Sequence, residues 1–300
     1  MIFKRYRVLE LFVSFLVIIC TLTNCASSKK KLPEVEPIAL LSDDAYLYLY
    51  VPVKAHESFL LDILEASSAN ISEKDARSVL NRIQSFYSCI GEKGNSSHIE
   101  LIAEGSFPSV GVKNVFTKKK GWATQVYEAN AGETDSKISS HKFTYYEPLD
   151  GKEIEVSFPS SSRCIISENA KPIFNKYLNA QDIELSESNY ASWLQNKGDN
   201  ILFYLVMPGQ NLWKMFGLNI SLSCNSISGK LSSIDDSAYG VSVLVTMPDK
   251  LSAFAAKRLL PLIGGKVKEI DELTLSVSGM QVQKKLLVDT FSKLIDERML

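Results

Sequence analysis

Residues able to do chemistry are few in this chain, and they are scattered. The histidines are His56, His98 and His141, and none has a partner at H-x-x-x-H or H-E-x-x-H spacing. A helical zinc site needs two imidazoles about one turn apart on one face, so the local pattern gives it no support. Each histidine falls near the start of an expected element, where a solvated ring is the simplest expectation. An envelope hydrolase with a dispersed site, using one of these rings, is the alternative to a non-catalytic role.

Serine motifs add little. Gly240-Val-Ser242-Val-Leu244 lacks the second glycine of the strained elbow that presents a catalytic hydroxyl. Ser139-Ser-His-Lys142 matches S-x-x-K, but the S-D-N and K-T-G elements that accompany that motif are absent from the sequence. Ser228-Gly229-Lys230 and Gly264-Gly265-Lys266 lack the glycine spacing and the hydroxyl after lysine that a phosphate loop requires. The adjacent carboxylates Asp43–Asp44 and Asp235–Asp236 would point to opposite sides of an extended chain, which suits turns and caps better than proton transfer or metal binding. Cys89, Cys164 and Cys224 form no C-x-x-C pair and read as small buried hydrophobes. A disulfide between two of them is open, and the odd count leaves at least one free thiol. No catalytic residue, metal or cofactor is expected.

The aromatics carry more promise. Tyr46, Tyr48 and Tyr50 alternate with Leu47, Leu49 and Val51 in AYLYLYVPV, the period-two pattern of a strand. Tyrosine joins apolar area to a hydroxyl, so this row is a candidate binding surface, with the ordinary rim of a sheet as the bland alternative. Lys118–Lys120 beside Trp122 could meet an anionic surface, although complementing a helix dipole explains them as well.

The elements that must position these residues alternate in type. Phe59, Leu60, Ile63 and Leu64 have helical spacing, and Ser72–Glu73 opens a second helix over 72–84. FYSCIG and HIELIAEG predict a hairpin, and 121–129, 142–149, 152–158 and 163–167 a meander. Four runs pass from β-rich sequence through a proline into an amphipathic stretch, at 46–64, 99–116, 201–218 and 241–260. Proline suits the first turn of a helix and cannot continue a central strand. Duplication and convergent punctuation account equally well for the recurrence. Strands joined as hairpins, with helices between, predict an α+β fold: mostly antiparallel sheets with helices on one face, drawn as two tandem ferredoxin-like modules. The final strand, ELTLSVSG, leads into a closing helix over 283–297.

The N-terminus gives the clearest signal. Lys4, Arg5 and Arg7 precede the uncharged run Leu11–Thr23, which is 13 residues long. Crossing a bilayer takes roughly 20 apolar residues, whereas a basic start and a short apolar stretch make a secretory signal. An uncleaved anchor would have to accept Glu10 and place Lys29–Lys31 on the translocated side. Leu22, Thr23, Asn24 and Cys25 end the run. This stretch resembles a bacterial lipoprotein lipobox of the looser, spirochaete type, with Asn24 departing from the strict small-residue pattern. The resemblance covers about the first 25 residues and implies address, not activity. It implies a diacylglyceryl, palmitate-type modification on Cys25, a bilayer as partner, and residence on the periplasmic face of an envelope membrane or on the cell surface.

Cleavage before Cys25 would remove Lys4, Arg5, Arg7 and Glu10 from 33 basic and 34 acidic residues, leaving 30 and 33. Such a balance offers no electrostatic footprint for nucleic acid. The expected organisation is a signal peptide at 1–24, a lipidated tether at 25–44, one α+β module at 45–182 and a second at 183–300. The expected function is a membrane-anchored envelope lipoprotein with a non-catalytic binding or structural role, its further partner an unidentified envelope protein or ligand.

Overall fold

Alternation in AYLYLYVP produces β1 (Ala45–Pro52), since residues two apart share one face of a strand. Leu49 and Val51 enter one core, and Tyr48 and Tyr50 enter another on the opposite face. The computed structural model describes residues 34–67, 72–93, 96–130, 140–179, 188–208 and 223–299. Leu22, Thr23, Asn24 and Cys25 lie outside the described residues, as does the module boundary expected at 182/183.

After β1 come α1 (Glu57–Ala66) and α2 (Glu73–Leu80). The Ser72 hydroxyl accepts the Asp75 amide at 3.2 Å, the N-cap implied by the Ser72–Glu73 start. β2 (Ile83–Lys93) and β3 (Ser96–Gly105) form the expected hairpin, and α3 (Ser109–Val115) starts directly after Pro108. β4 (Trp122–Asn130), β5 (Ser140–Pro148), β6 (Glu155–Ser160) and β7 (Arg163–Ser167) are the meander. α4 (Lys171–Leu178), α5 (Asn189–Leu194) and β8 (Ile201–Val206) follow. The described chain closes with β9 (Ser226–Ser233), β10 (Ala238–Thr246), α6 (Lys250–Leu259), β11 (Lys266–Glu269), β12 (Thr274–Gln283) and α7 (Lys284–Met299).

These strands make one sheet in the order β11-β12-β10-β9-β8-β1-β2-β3-β7-β6-β5-β4. Neighbours are antiparallel throughout, so the fold is α+β with a large antiparallel sheet. Strands from the two halves of the chain meet where β1 pairs with β8, from Leu47 opposite Leu205 to Tyr50 opposite Leu202.

The helices are divided between the faces, not gathered on one as the sequence pattern predicts. α1, α2, α6 and α7 cover the core that holds Leu49, Ile201 and Phe203, whereas α4 and α5 cover the core that holds Tyr48, Leu202 and Tyr204. The reason is visible in β1 and β8, which are apolar on both sides, so both faces need cover. Ala103, Cys164 and Ile166 point away from Ile102 and Ile165, into a third cluster with Val112 and Val115 of α3.

Candidate functional site

The tyrosine row is not an open platform. Tyr48 is fully buried and stacks on Tyr190, with ring centroids 3.8 Å apart and planes within 4° of parallel. Its hydroxyl donates to the Ser42 carbonyl at 2.9 Å, and burial raises its pKa. Tyr50 is buried beside Tyr87, their centroids 5.0 Å apart. Tyr46 falls within a β-bulge between Ala45 and Leu47, and a bulge breaks the strict alternation on which a three-tyrosine face depends.

Tyr190 of α5 covers Tyr48 directly, and the chain just before β1 packs into the same core. Val35, Ile38, Ala39, Leu40 and Leu41 are buried, so the last part of the stretch expected to be a flexible tether is instead a strap packed into the core. Ends of neighbouring elements fasten it. Arg163 donates to the Val35 carbonyl and, at 3.0 Å, to Glu104. Lys176 reaches the Leu41 carbonyl at 2.6 Å and Asp43 at 2.7 Å, and the Tyr190 hydroxyl donates to the other oxygen of Asp43 at 2.7 Å. Burial works to raise the Asp43 pKa, but the hydrogen bonds from Lys176 and Tyr190 hold it below the usual carboxylate value. The Ser42 amide donates to Glu100 at 2.7 Å, and the Cys89 thiol donates to the same oxygen at 3.3 Å. Burial pushes the pKa of Glu100 and of Cys89 up.

The other candidate residues serve the fold. His56, expected at the surface, is buried. A carbonyl can only accept, so Nε2–H donates to the Asp199 carbonyl at 2.8 Å and Nδ1 accepts from the Tyr239 hydroxyl at 3.0 Å. Both ring nitrogens are thereby used, and burial lowers the pKa. The His98 ring lies over Gly91, where an added Cβ would come within 2.2 Å of it. His141 stands opposite Ala129 on the β4–β5 ladder. Asp235 accepts the Ser237 amide and hydroxyl at 2.7 and 2.8 Å, an ordinary turn. Cys89, Cys164 and Cys224 are buried free thiols, and burial raises the Cys224 pKa to about 11. Among the described residues, no group of three or more His, Cys, Asp and Glu could hold a metal ion.

One element has the wrong side outward for a core helix. α6 is capped by Asp249, whose carboxylate accepts the Ser252 amide at 2.7 Å. It buries the small residues Ala253 and Ala256, and Leu260 just beyond its end. Leu251 (79% exposed), Phe254 (53%) and Leu262 (79%) face water. The Arg258 guanidinium sits 4.3 Å from the centre of the Phe254 ring. Lys257 pairs with Glu269 at 2.6 Å and Lys250 with Glu272 at 2.8 Å. These bridges bring in the β11–β12 turn, which carries exposed Ile270. The result is an apolar patch rimmed by Arg258 and by two Lys–Glu ion pairs, a polar-rimmed arrangement that marks contact with a partner or membrane. Sequence reasoning found the amphipathic stretch at 241–260 but not its orientation, because the helix has one stripe of large apolar residues and one of alanine. Among the described residues, no helix is long and apolar enough to cross a membrane.

The model of the outer membrane-associated lipoprotein TP0453 family matches residues 33–288, most of the chain. The chain belongs to that family. It is therefore a membrane-associated lipoprotein of the cell envelope, held there by lipid. The outer membrane protein TP0453 of Treponema pallidum (strain Nichols) is 26% identical over 138 residues, 46% of this chain. That alignment spans 41% of the relative's length, so the chain matches less than half of it. Crystal form I of TP0453 superposes with a TM-score of 0.60 at 18% identity, over 87% of this chain and 98% of that one. Crystal form IV gives 0.59 at 17% identity, over 86% and 97%. These structural likenesses establish a shared TP0453 fold.

Proposed function

We propose that the protein is held at an envelope membrane by lipid on Cys25, with Leu22, Thr23 and Asn24 as its processing signal, and that its body is a non-catalytic element which rests the α6 face on the bilayer. The observation that carries this reading is the outward pair Leu251 and Phe254 on a helix that buries alanines, with Leu262 exposed in the turn just after it. A packed helix ordinarily turns its largest apolar residues inward, and full removal from water is worth roughly 1.5–3 kcal/mol for each. Arg258, over the Phe254 ring at the edge of the patch, suits an anionic headgroup. From Cys25 to the docked strap at Val35 the chain can reach at most ~35 Å, at ~3.5 Å per residue. The body thus stays within its own diameter of the lipid, and one further weak contact is enough to orient it. The use of both His56 nitrogens within the fold removes that ring from a dispersed hydrolase site.

Metabolic labelling with a fatty acid and flotation with anionic vesicles test the two halves separately. Cys25→Ala is expected to abolish labelling while leaving residual flotation. Adding Leu251→Glu and Phe254→Glu to that variant should lower flotation at least tenfold, the equivalent of about 1.4 kcal/mol. Unchanged labelling would remove the anchor assignment, and unchanged flotation would remove the α6 face.

A further inference from the structure

The two edges of the twelve-stranded sheet are treated differently. At one end β11 is only four residues long, and three of them, Lys266, Lys268 and Glu269, are charged. Short, charged edge strands resist pairing with another chain. At the other end β4 runs for nine residues with one charged side chain, Glu128, and without proline, and its pairing with β5 is regular from end to end. Thr124, Gln125, Val126 and Glu128 are exposed, and Val126 in mid-strand is 57% exposed.

The direction of the β4 backbone follows from the start of the ladder. The Leu149 amide donates to the Gly121 carbonyl at 2.8 Å, so Gly121 and Leu149 form a hydrogen-bonded pair. Hydrogen-bonded and non-hydrogen-bonded pairs alternate along an antiparallel ladder. Ala123, Gln125 and Tyr127 therefore bond to β5, and Thr124, Val126 and Glu128 turn their N–H and C=O groups outward. Trp122 confirms the phase, because its outward amide is taken by the Thr117 carbonyl at 3.1 Å.

We infer that β4 is a self-pairing edge, and that a second copy of this chain adds to it antiparallel about a two-fold axis at Val126. In that register Val126 meets Val126 of the second copy, and Thr124 meets Glu128 on either side. Thr124, Val126 and Glu128 of each copy then form hydrogen-bonded pairs, six backbone bonds in total by the rule of two per such pair. The side chains agree with this choice. The exposed valine gains an apolar partner, and each Glu128 faces a threonine instead of another carboxylate. Glu128 also keeps its 2.5 Å contact with Lys142, which lies on the inner neighbour β5. Sliding by two residues per copy would set Glu128 against Glu128, and like charges directly opposite are destabilising. Sliding the other way leaves fewer outward residues paired. An axis at position 127 would also pair Asn130, but it would set the apolar Val126 against the Glu128 carboxylate, so the register centred on Val126 is the one that avoids like charges and keeps the valine against an apolar partner. Lipid anchoring favours it further, since confinement to a membrane raises the effective concentration of each copy for the other.

The full chain, solubilised in a detergent matched to solvent density, tests this by sedimentation over a range of concentrations. Wild type is expected to pass reversibly from monomer to dimer. Val126→Pro removes an outward N–H and no bond of the β4–β5 ladder, so it should leave the circular dichroism spectrum unchanged and weaken dimerisation roughly tenfold or more. Val126→Lys and Val126→Glu should each sediment as monomer, and mixing the two should restore a dimer, because position 126 meets itself. That rescue tests the register even if the proline variant fails to fold. A wild type that stays monomeric up to its solubility limit overturns the inference. So does a dimer that is indifferent to all three substitutions, or a Lys and Glu mixture that stays monomeric.

Discussion

Leu40→Ala is the sharpest test of the strap. Leu40 is fully buried and packs in the cluster that includes Tyr48, Ile102 and Phe174, although its sequence neighbourhood predicts a flexible tether. In a tether the substitution would be silent. In a core it removes transfer energy and leaves a cavity, which together cost about 2–5 kcal/mol for leucine to alanine. Taking ~3 kcal/mol, a chain of this size should lose roughly 6–12 °C in unfolding midpoint, at about 2–4 °C per kcal/mol. The assay is urea unfolding followed by tryptophan fluorescence, where the midpoint should fall while the slope stays constant. Leu251→Ala is the matched control, because it deletes the same atoms from a side chain that is 79% exposed. It should change stability by no more than about 0.5 kcal/mol. If Leu40→Ala proved as harmless as Leu251→Ala, the strap would not be packed in solution.

Two buried titrating groups should act with opposite sign. Burial lowers the folded-state pKa of His56 below its ordinary value near 6.5. The unfolded chain therefore binds the proton more tightly, and this stability is present above pH ~6.5 and lost as pH falls toward the lower folded value. His56→Gln should flatten the dependence of unfolding free energy on pH over that acidic window, and an unchanged slope would count against a buried neutral ring. Burial raises the folded-state pKa of Glu100 above 4.5, so its contribution is present at low pH and is lost as pH rises from there through the folded value. Glu100→Gln should gain on wild type over that rise when the two are unfolded in parallel at several pH values. A wild type that kept pace would show that the carboxylate is not desolvated.

Local signals carried much of the architecture. The β2–β3 hairpin, the Ser72 cap and the closing helix follow from period and punctuation, because each is stabilised mainly by neighbours in sequence. The envelope lipoprotein assignment was legible for a similar reason, since a signal is read as an extended stretch of chain and not as a fold. The candidate site was less legible. Leu251 and Phe254 read as core residues in any helical projection, and only the packing of Ala253 and Ala256 against the sheet turns them outward.

Which residues alternate, where elements begin and end, and what kind of address the chain carries are local properties, written along the sequence. Tertiary structure decided which face of each element is covered. Tyr48 and Tyr50 became core because Tyr190 of α5 stacks on Tyr48 and the strap from Val35 to Leu41, held by Arg163 and Lys176, packs into the same cluster. His56 became structural because Tyr239 and Asp199 arrive from far along the chain. Val126 was left bare because β4 stands last in the order of strands. The physical reason is common to all three: exposure depends on what distant segments bring to a surface, and periodicity records only how residues are arranged within one.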